Sequence, residues 1–352
     1  MTSSIIDVDP IVDPRWSALV EGSPDSDVFH SPDWLSVLVD TYGFELRARL
    51  VMEGGRPAGG VVFAELGSLD ARHRKTLPFS DFCDPLVSDI SHWESLRASL
   101  LSEEIPFTVR CRTSPWVRED QSFHTTGTAA WHRIDVDRST EAMWEAIHPS
   151  ARRAIRRAIG EGVEVRPAER EDELRSFYLL HMSVRRHKYG LLAQPYSFFQ
   201  RLWSQFVEKD RGRLMLAFHK GRPVAGVMFL DWGDTTYYKL NASDPDSLEL
   251  RPNDLIVWSA MEEAGDRSHR WLDFGVSDLD QPGLIRYKEK YATESGLVET
   301  LVAGDDGSPA MSPATVDEFR DLLGSLTRLF VDDAVPDAAF ESAGDLLYRY
   351  FA

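Results

Sequence analysis

At 352 residues and 43% hydrophobic content, the chain is long enough to bury two cores rather than one. A formal net charge of −18 excludes a long-range basic field for nucleic acid, so any polyanion has to be met by a local group of cations. Two cysteines, Cys83 and Cys111, lack metal-type spacing and suit a reducing compartment better than a disulfide scaffold. The start, Met1-Thr2-Ser3-Ser4, has neither the basic flank nor the apolar run of a secretion signal. No stretch approaches the roughly 18 apolar residues of a membrane span. The expectation is a cytoplasmic protein without integral membrane contact.

Taken in chain order, an amphipathic segment over 34–42 opens at Ser31-Pro32-Asp33. An apolar run at 49–52 then enters Gly55-Arg56-Pro57 and leaves as Val61-Val62-Phe63, which reads as a hairpin. A helical stretch at 93–101 precedes an apolar strand at 105–109. The pattern then begins again. The nine residues from Gly55 to Phe63 recur as Gly221-Arg222-Pro223-Val224-Ala225-Gly226-Val227-Met228-Phe229, 166 residues later, after the apolar run 214–218. The same displacement carries 31–33 onto 197–199 and 105–109 onto 271–275, the latter again after a helical stretch, 255–264. Three blocks at one offset indicate duplication.

Each copy reads as helix, hairpin, third strand, helix, fourth strand. That implies an α/β (α+β) fold, with a central mixed sheet covered by helices, present twice. Two further helical stretches, 315–331 and 337–350, are split at Pro336 and fall outside the repeat. The expected domains are 1–145, 146–305 and a helical segment, 306–352, packing back on the first domain.

Several chemistries are not written in the sequence. There is no G-x-x-x-x-G-K-[ST] loop and no G-x-G-x-x-G after a strand. His181 and His187 are six apart and H-E-x-x-H is absent, so a zincin site is unsupported. Gly275-Val276-Ser277-Asp278 lacks the second glycine of a nucleophile elbow.

Five segments, in order, carry a resemblance. They are Leu77-Pro78-Phe79-Ser80-Asp81-Phe82-Cys83-Asp84-Pro85-Leu86; Ser150 to Ala158 with Gly162-Val163; Arg185-Arg186 with Gly190, Pro195 and Phe198-Phe199; Asp273-Phe274-Gly275 with Gly283 to Lys288; and Gly344-Asp345-Leu346-Leu347-Tyr348-Arg349. Together they resemble the Fem-type transferases and their GNAT-fold relatives, which carry two GNAT-like domains in tandem. The resemblance runs from about Phe29 onward. It implies an amide-forming acyltransferase. Fem-type members take an amino acid from aminoacyl-tRNA and join it to an amine on a peptidoglycan precursor, and no metal or cofactor is implied because the ester donor is already activated.

The resemblance places Lys288 in the family's aromatic–Lys pair, Tyr287-Lys288. Amide formation passes through a tetrahedral oxyanion that a fixed ammonium can stabilise; the alternative is a solvated lysine at a strand end. Arg152, Arg153, Arg156 and Arg157 share one helix face and could hold phosphates, or pair with Glu145, Glu161 or Glu164. Arg185 and Arg186 match a family arginine thought to reach the acceptor. Asp81 and Asp84 bracket Cys83, and either could take a proton from the attacking amine or serve the turn. Asp273 could orient a donor or cap the following turn. Cys83 and Cys111 read as packing residues. Tyr287 and Trp34 complete the substrate-binding candidates. The first helix departs from members that use a nucleotide-linked precursor, because Leu38 stands where they show lysine.

The donor is read partly by absence. A conventional CoA pyrophosphate loop, Q/R-x-x-G-x-G/A, offers bare backbone N–H groups at a helix start. The equivalent stretch here, Leu250-Arg251-Pro252-Asn253-Asp254-Leu255, has no glycine, and Pro252 removes one N–H. The expectation is therefore aminoacyl-tRNA as donor and a peptide or amino-sugar amine as acceptor, in cell-envelope or specialised-metabolite synthesis. An acyl-CoA-dependent N-acyltransferase and a non-catalytic tandem scaffold are the alternatives.

Overall fold

The computed structural model describes residues 4–68, 71–304 and 313–352. In chain order its elements are β1 (Ser4–Val8), α1 (Pro14–Gly22), α2 (Pro32–Tyr42), β2 (Glu45–Glu53), β3 (Arg56–Ser68), β4 (Ala71–Lys75), β5 (Leu86–Val87), α3 (Ile90–Leu101), β6 (Phe107–Cys111), α4 (Pro115–Arg118) and β7 (Phe123–Asp135). There follow α5 (Thr140–Ala146), α6 (Pro149–Gly160), β8 (Val163–Pro167), α7 (Glu171–Ser183), α8 (Tyr196–Leu202), β9 (Gly212–His219), β10 (Arg222–Trp232), β11 (Thr235–Ser243) and α9 (Pro252–Asp266). The last are β12 (Trp271–Asp278), α10 (Pro282–Glu289), β13 (Glu294–Ala303), α11 (Pro313–Phe330) and α12 (Asp337–Leu347). Among the described residues no helix is long and apolar enough to cross a membrane.

The chain forms two compact units. One comprises Met1–Ala130, Gly296–Leu322 and Ala352; the other comprises Trp131–Ser295 and Leu323–Phe351. In the first unit the strand order is β1-β2-β3-β4-β6, with β13 beyond β6 and β5 against β3. Only β4 and β6 run parallel in this set, joined through α3, while the other pairs are antiparallel. Its core sets Val51, Val61, Phe63, Phe107 and Val109 of the sheet against Trp93, Leu96 and Leu100 of α3. Helix starts follow local chemistry. Asp13 and Ser31 cap α1 and α2 through their side chains, proline opens each helix, and Gly43 at φ 67° ends α2.

The second unit repeats the plan. Its order is β12-β11-β10-β9-β8 with β7 beside β12, and here β11 and β12 are the parallel pair, joined through α9. Leu272, Phe274, Val227 and Phe229 pack with Leu255, Ile256 and Met261 of α9 and with Ala151 and Ile155 of α6.

The duplication extends to fine detail. In the first hairpin Met52 opposes Pro57 and Val51 opposes Gly59, so Ala58 is the extra residue of a bulge. In the second, Phe218 opposes Pro223 and Ala217 opposes Ala225, so Val224 is the extra one. These positions are again 166 apart. A Cβ on Gly60 would lie 2.7 Å from Leu50 and 2.8 Å from Leu19 of α1; one on Gly226 would lie 2.7 Å from Leu216 and 2.7 Å from Phe177 of α7. Both glycines let a helix side chain approach the strand backbone.

The tail is where expectation and structure part. Placed by sequence on the first domain, 323–351 instead belongs to the second unit. Arg186 is buried and needs acceptors. It donates to the carbonyls of Val331, Asp332 and Val335 (2.6 Å for Val335) and to the Asp337 carboxylate at 3.0 Å. Arg175 adds a two-pronged bond to Glu341 at 2.7 and 2.8 Å. The expected start of that segment, residues 306–312, lies outside the described residues.

Candidate active site

In the second unit β11 and β12 pair only at Thr235–Trp271, Thr236–Leu272 and Tyr237–Asp273, and then the ladder stops. β11 continues to Ser243 against β10, and β12 continues to Asp278 beside β7. The pair therefore opens at its C-terminal end, the end where parallel strands offer ligand crevices. Aromatic rings gather there. Tyr238 lies 5.5 Å from Phe274, Phe274 lies 6.1 Å from Tyr291, and Tyr291 lies 5.7 Å from Tyr287. The Tyr291 hydroxyl donates to Asp254 Oδ1 at 2.6 Å. Burial raises the phenols of Tyr287 and Tyr291, which stay protonated at neutral pH. Burial also raises the Asp254 carboxyl, with the Tyr291 bond opposing it.

Lys288 is neither on a strand nor solvated. It lies on α10, is 4% exposed, and donates from Nζ to the carbonyls of Phe274 and Val276, each at 2.8 Å. Gly275 between them has φ 62°, which bends β12 out of regular pairing and presents both oxygens to one ammonium. Asp273, 1% exposed, accepts from Gly275 N at 2.6 Å and from Trp131 Nε1 at 2.8 Å. Lys288 and Asp273 thus brace the open end of the same strand, one through its carbonyls and the other through its amide. His132 on β7 is also buried; burial and the Lys288 charge lower its pKa, so the ring is neutral at pH 7.

The arginine candidates separate. Arg152 caps α5 from Nη1, donating to the carbonyls of Trp144, Glu145 and Ile147 at 2.9–3.2 Å. Arg156 lies over the Trp144 ring at 5.2 Å, Arg157 pairs at long range with Glu161 and Glu249, and Arg153 is exposed. Arg185 donates to the Leu192 carbonyl at 2.9 Å and lies 5.9 Å from the Tyr348 ring. Arg186 is committed to the tail and is only 7% exposed.

Asp81, Asp84 and Trp34 belong to the first unit. Asp84 is buried, and its carboxylate accepts from the backbone N–H groups of Arg112 (2.9 Å), Thr113 (3.0 Å) and Ser114 (2.8 Å) and from the Cys111 thiol at 3.1 Å. Those four donors converge on Oδ1 and one of them also reaches Oδ2, so the carboxylate fixes the loop after β6. Trp34 is fully buried; its indole N–H donates to Ser80 Oγ at 2.8 Å and its ring meets Phe29 edge-on at 5.3 Å. It is a core residue, out of substrate's reach. Asp81 is half-buried in the same loop. Cys83 and Cys111 are buried free thiols, both raised by burial, as packing residues should be.

Of the candidates, Lys288, Asp273 and Tyr287 come together at β12 and α10. Tyr238, Tyr291, Asp254 and His132 were missed. The four-residue spacing of Tyr287 and Tyr291 and the acid two residues after Pro252 were the available signals; a lone histidine in an alternating strand gives none. Among the described residues no group of three or more His, Cys, Asp or Glu side chains could hold a metal ion.

Residues 149–289 match the family model described as an acetyltransferase (GNAT) domain. No curated protein sequence matches the chain. Among solved structures, FemX is similar with a TM-score of 0.64 at 15% identity, covering 85% of this chain and 96% of that one. The C-terminal domain of a putative lysylphosphatidylglycerol synthetase from Agrobacterium fabrum gives 0.55 at 11% identity, covering 88% and 95%. A tandem GNAT protein from the clavulanic acid biosynthesis pathway gives 0.53 at 12% identity, covering 86% and 98%. The match over residues 149–289 and the similarity to FemX and the tandem GNAT protein agree on a GNAT-like fold for this chain.

Proposed function

We propose that the second unit catalyses amide-forming acyl transfer, moving an aminoacyl group from aminoacyl-tRNA to an amine of a peptide or amino sugar. The observation that carries the choice of donor is the start of α9. Arg251 there is left-handed at φ 60°, Pro252 has no N–H, and the buried carboxyl of Asp254 lies in the first turn. A CoA pyrophosphate gripped in the conventional way needs bare N–H groups and a positive field at this place. An ester donor on tRNA needs neither.

In the reaction the amine nitrogen adds to the ester carbonyl carbon, and the carbonyl oxygen gains negative charge. The C–O bond to the ribose then breaks, and the proton lost by nitrogen passes to the leaving oxygen. Lys288 supplies a fixed positive charge at the open end of β12, where stabilising that oxyanion lowers the barrier. The exposed Arg153, Arg156 and Arg157 of α6 offer a local cationic face to the tRNA backbone in an otherwise acidic chain.

The test is a single-turnover assay with labelled aminoacyl-tRNAs and labelled acetyl-CoA offered separately, beside mixed envelope-precursor amines. RNase-sensitive transfer from tRNA supports the proposal. Transfer from acetyl-CoA alone refutes the donor and favours the CoA-dependent alternative, and transfer from neither leaves a binding scaffold.

A further inference from the structure

The first unit has a parallel pair of its own, and a different group of side chains lies on it. β4 and β6 pair at Arg74–Phe107 and Lys75–Thr108. Beyond that, Thr76 N donates to the Thr108 carbonyl and Arg110 N donates to Thr76 Oγ1 at 3.0 Å. Side chains alternate along a strand. Arg74 lies over Phe63, which meets Phe107 and the α3 core, and it is neutralised by Glu65 and Glu103 at 2.8 and 2.6 Å. Lys75, Thr108 and Arg110 consequently occupy the opposite face.

The two faces differ in charge balance. Neither Lys75 nor Arg110 has a carboxylate partner among the described residues, although both are half-buried. Arg110 uses Nη1 on the Ser80 carbonyl at 3.3 Å, and its buried Nε has no partner. From the register, the two Cα positions are separated by one strand spacing, about 4.8 Å, and two residues of rise, about 6.6 Å, within reach of both long side chains. Burial and the adjacent Arg110 charge lower the Lys75 pKa. His73, on the same face, is also lowered, by burial and by Lys75, and adds no charge at neutral pH.

Two like charges held close, partly dehydrated and without a counter-charge are unstable unless something anionic completes them. In a chain of charge −18 such an arrangement does not arise from surplus lysine and arginine. We propose that Lys75 and Arg110 form a binding site for a phosphoryl dianion on the face of the first unit's sheet opposite α3. A dianion rather than a carboxylate is assigned because two uncompensated cations face it. The guanidinium supplies a planar fork and the ammonium a point charge, a combination suited to phosphate.

The site is tested on the full chain by thermal unfolding and titration calorimetry, with inorganic phosphate and pyrophosphate as probes and acetate at matched ionic strength as control. Lys75→Met and Arg110→Met are the variants. The wild type is expected to gain thermal stability with phosphate or pyrophosphate and not with acetate, and each variant to bind at least tenfold more weakly. Lys75→Met should also melt higher than the wild type without anion, because it relieves the repulsion, a result that loss of fold cannot mimic. A larger response to pyrophosphate would identify a diphosphate source, and an equal response a single phosphate group. Equal responses to acetate and phosphate, or a phosphate response surviving in both variants, would overturn the assignment.

Discussion

Replacing Lys288 by methionine keeps the stem's volume and removes the ammonium that joins α10 to the open end of β12. The two short bonds, to the carbonyls of Phe274 and Val276, are lost together with a longer contact to the Gly275 carbonyl at 3.5 Å, too long to add much. Hydrogen bonds to a charged group contribute about 1.5–3 kcal/mol each, a gross loss of about 3–6 kcal/mol. Against this stands the relief of a buried charge, several kcal/mol by itself, because Lys288 is only 4% exposed. The net expectation is destabilisation by about 2 kcal/mol. For a body of this size that lowers the melting temperature by roughly 4–8 °C. Urea unfolding followed by tryptophan fluorescence measures it. The transfer rate, read at a temperature where both proteins are folded, should fall about 10²–10³-fold if the charge also stabilises the oxyanion. A variant as stable as the wild type would show that β12 does not depend on this ammonium. A less stable variant with an unchanged transfer rate would confine Lys288 to holding the strand.

Arg186→Met should free the tail locally. Hydrogen exchange across 331–347 is expected to quicken by an amount equivalent to about 1–3 kcal/mol, with 212–232 unaffected; uniform quickening would contradict the placement of that arginine. Glu103 gives a pH prediction. The hydrogen bond from Arg74 lowers its pKa from 4.5 to about 2, so its contribution is complete above pH 4.5 and is lost as pH falls through about 2. Glu103→Gln should flatten the stability–pH curve between those values, and an unaltered curve would mean that the pair is already broken in solution.

Legibility in the sequence followed the range of the interactions concerned. Gly-Arg-Pro turns, proline-led helix starts and the split at Pro336 are local, and the two copies at one offset exposed the duplicated fold before any contact was known. The partners of buried polar groups are not local. Trp34 looked available for substrate because nothing in 34–42 shows that Ser80 accepts its indole N–H. The hold of Asp84 on the loop after β6 was hidden because its donors, at 111–114, are almost thirty residues away. Lys288 was singled out by resemblance, but its acceptors depend on β12 leaving its ladder at Asp273, which tertiary structure decides. Asp254 and Tyr291 were missed for the same reason.

Neither unit is one continuous stretch of chain, and this bears on how the protein forms during synthesis. Cys111 of β6 leaves the ribosome long before Glu299, its partner in β13, and Arg186 precedes Asp337 by 151 residues. Each half must wait, with an unpaired strand edge or an unmet arginine, for sequence made after most of the other half. Such long-range closures slow folding and leave partly assembled edges open to mispairing. A gene split at residue 130 would therefore leave the first fragment without Gly296–Leu322 of its own unit, whereas the second fragment would carry both segments of its unit, and coexpression should restore the first.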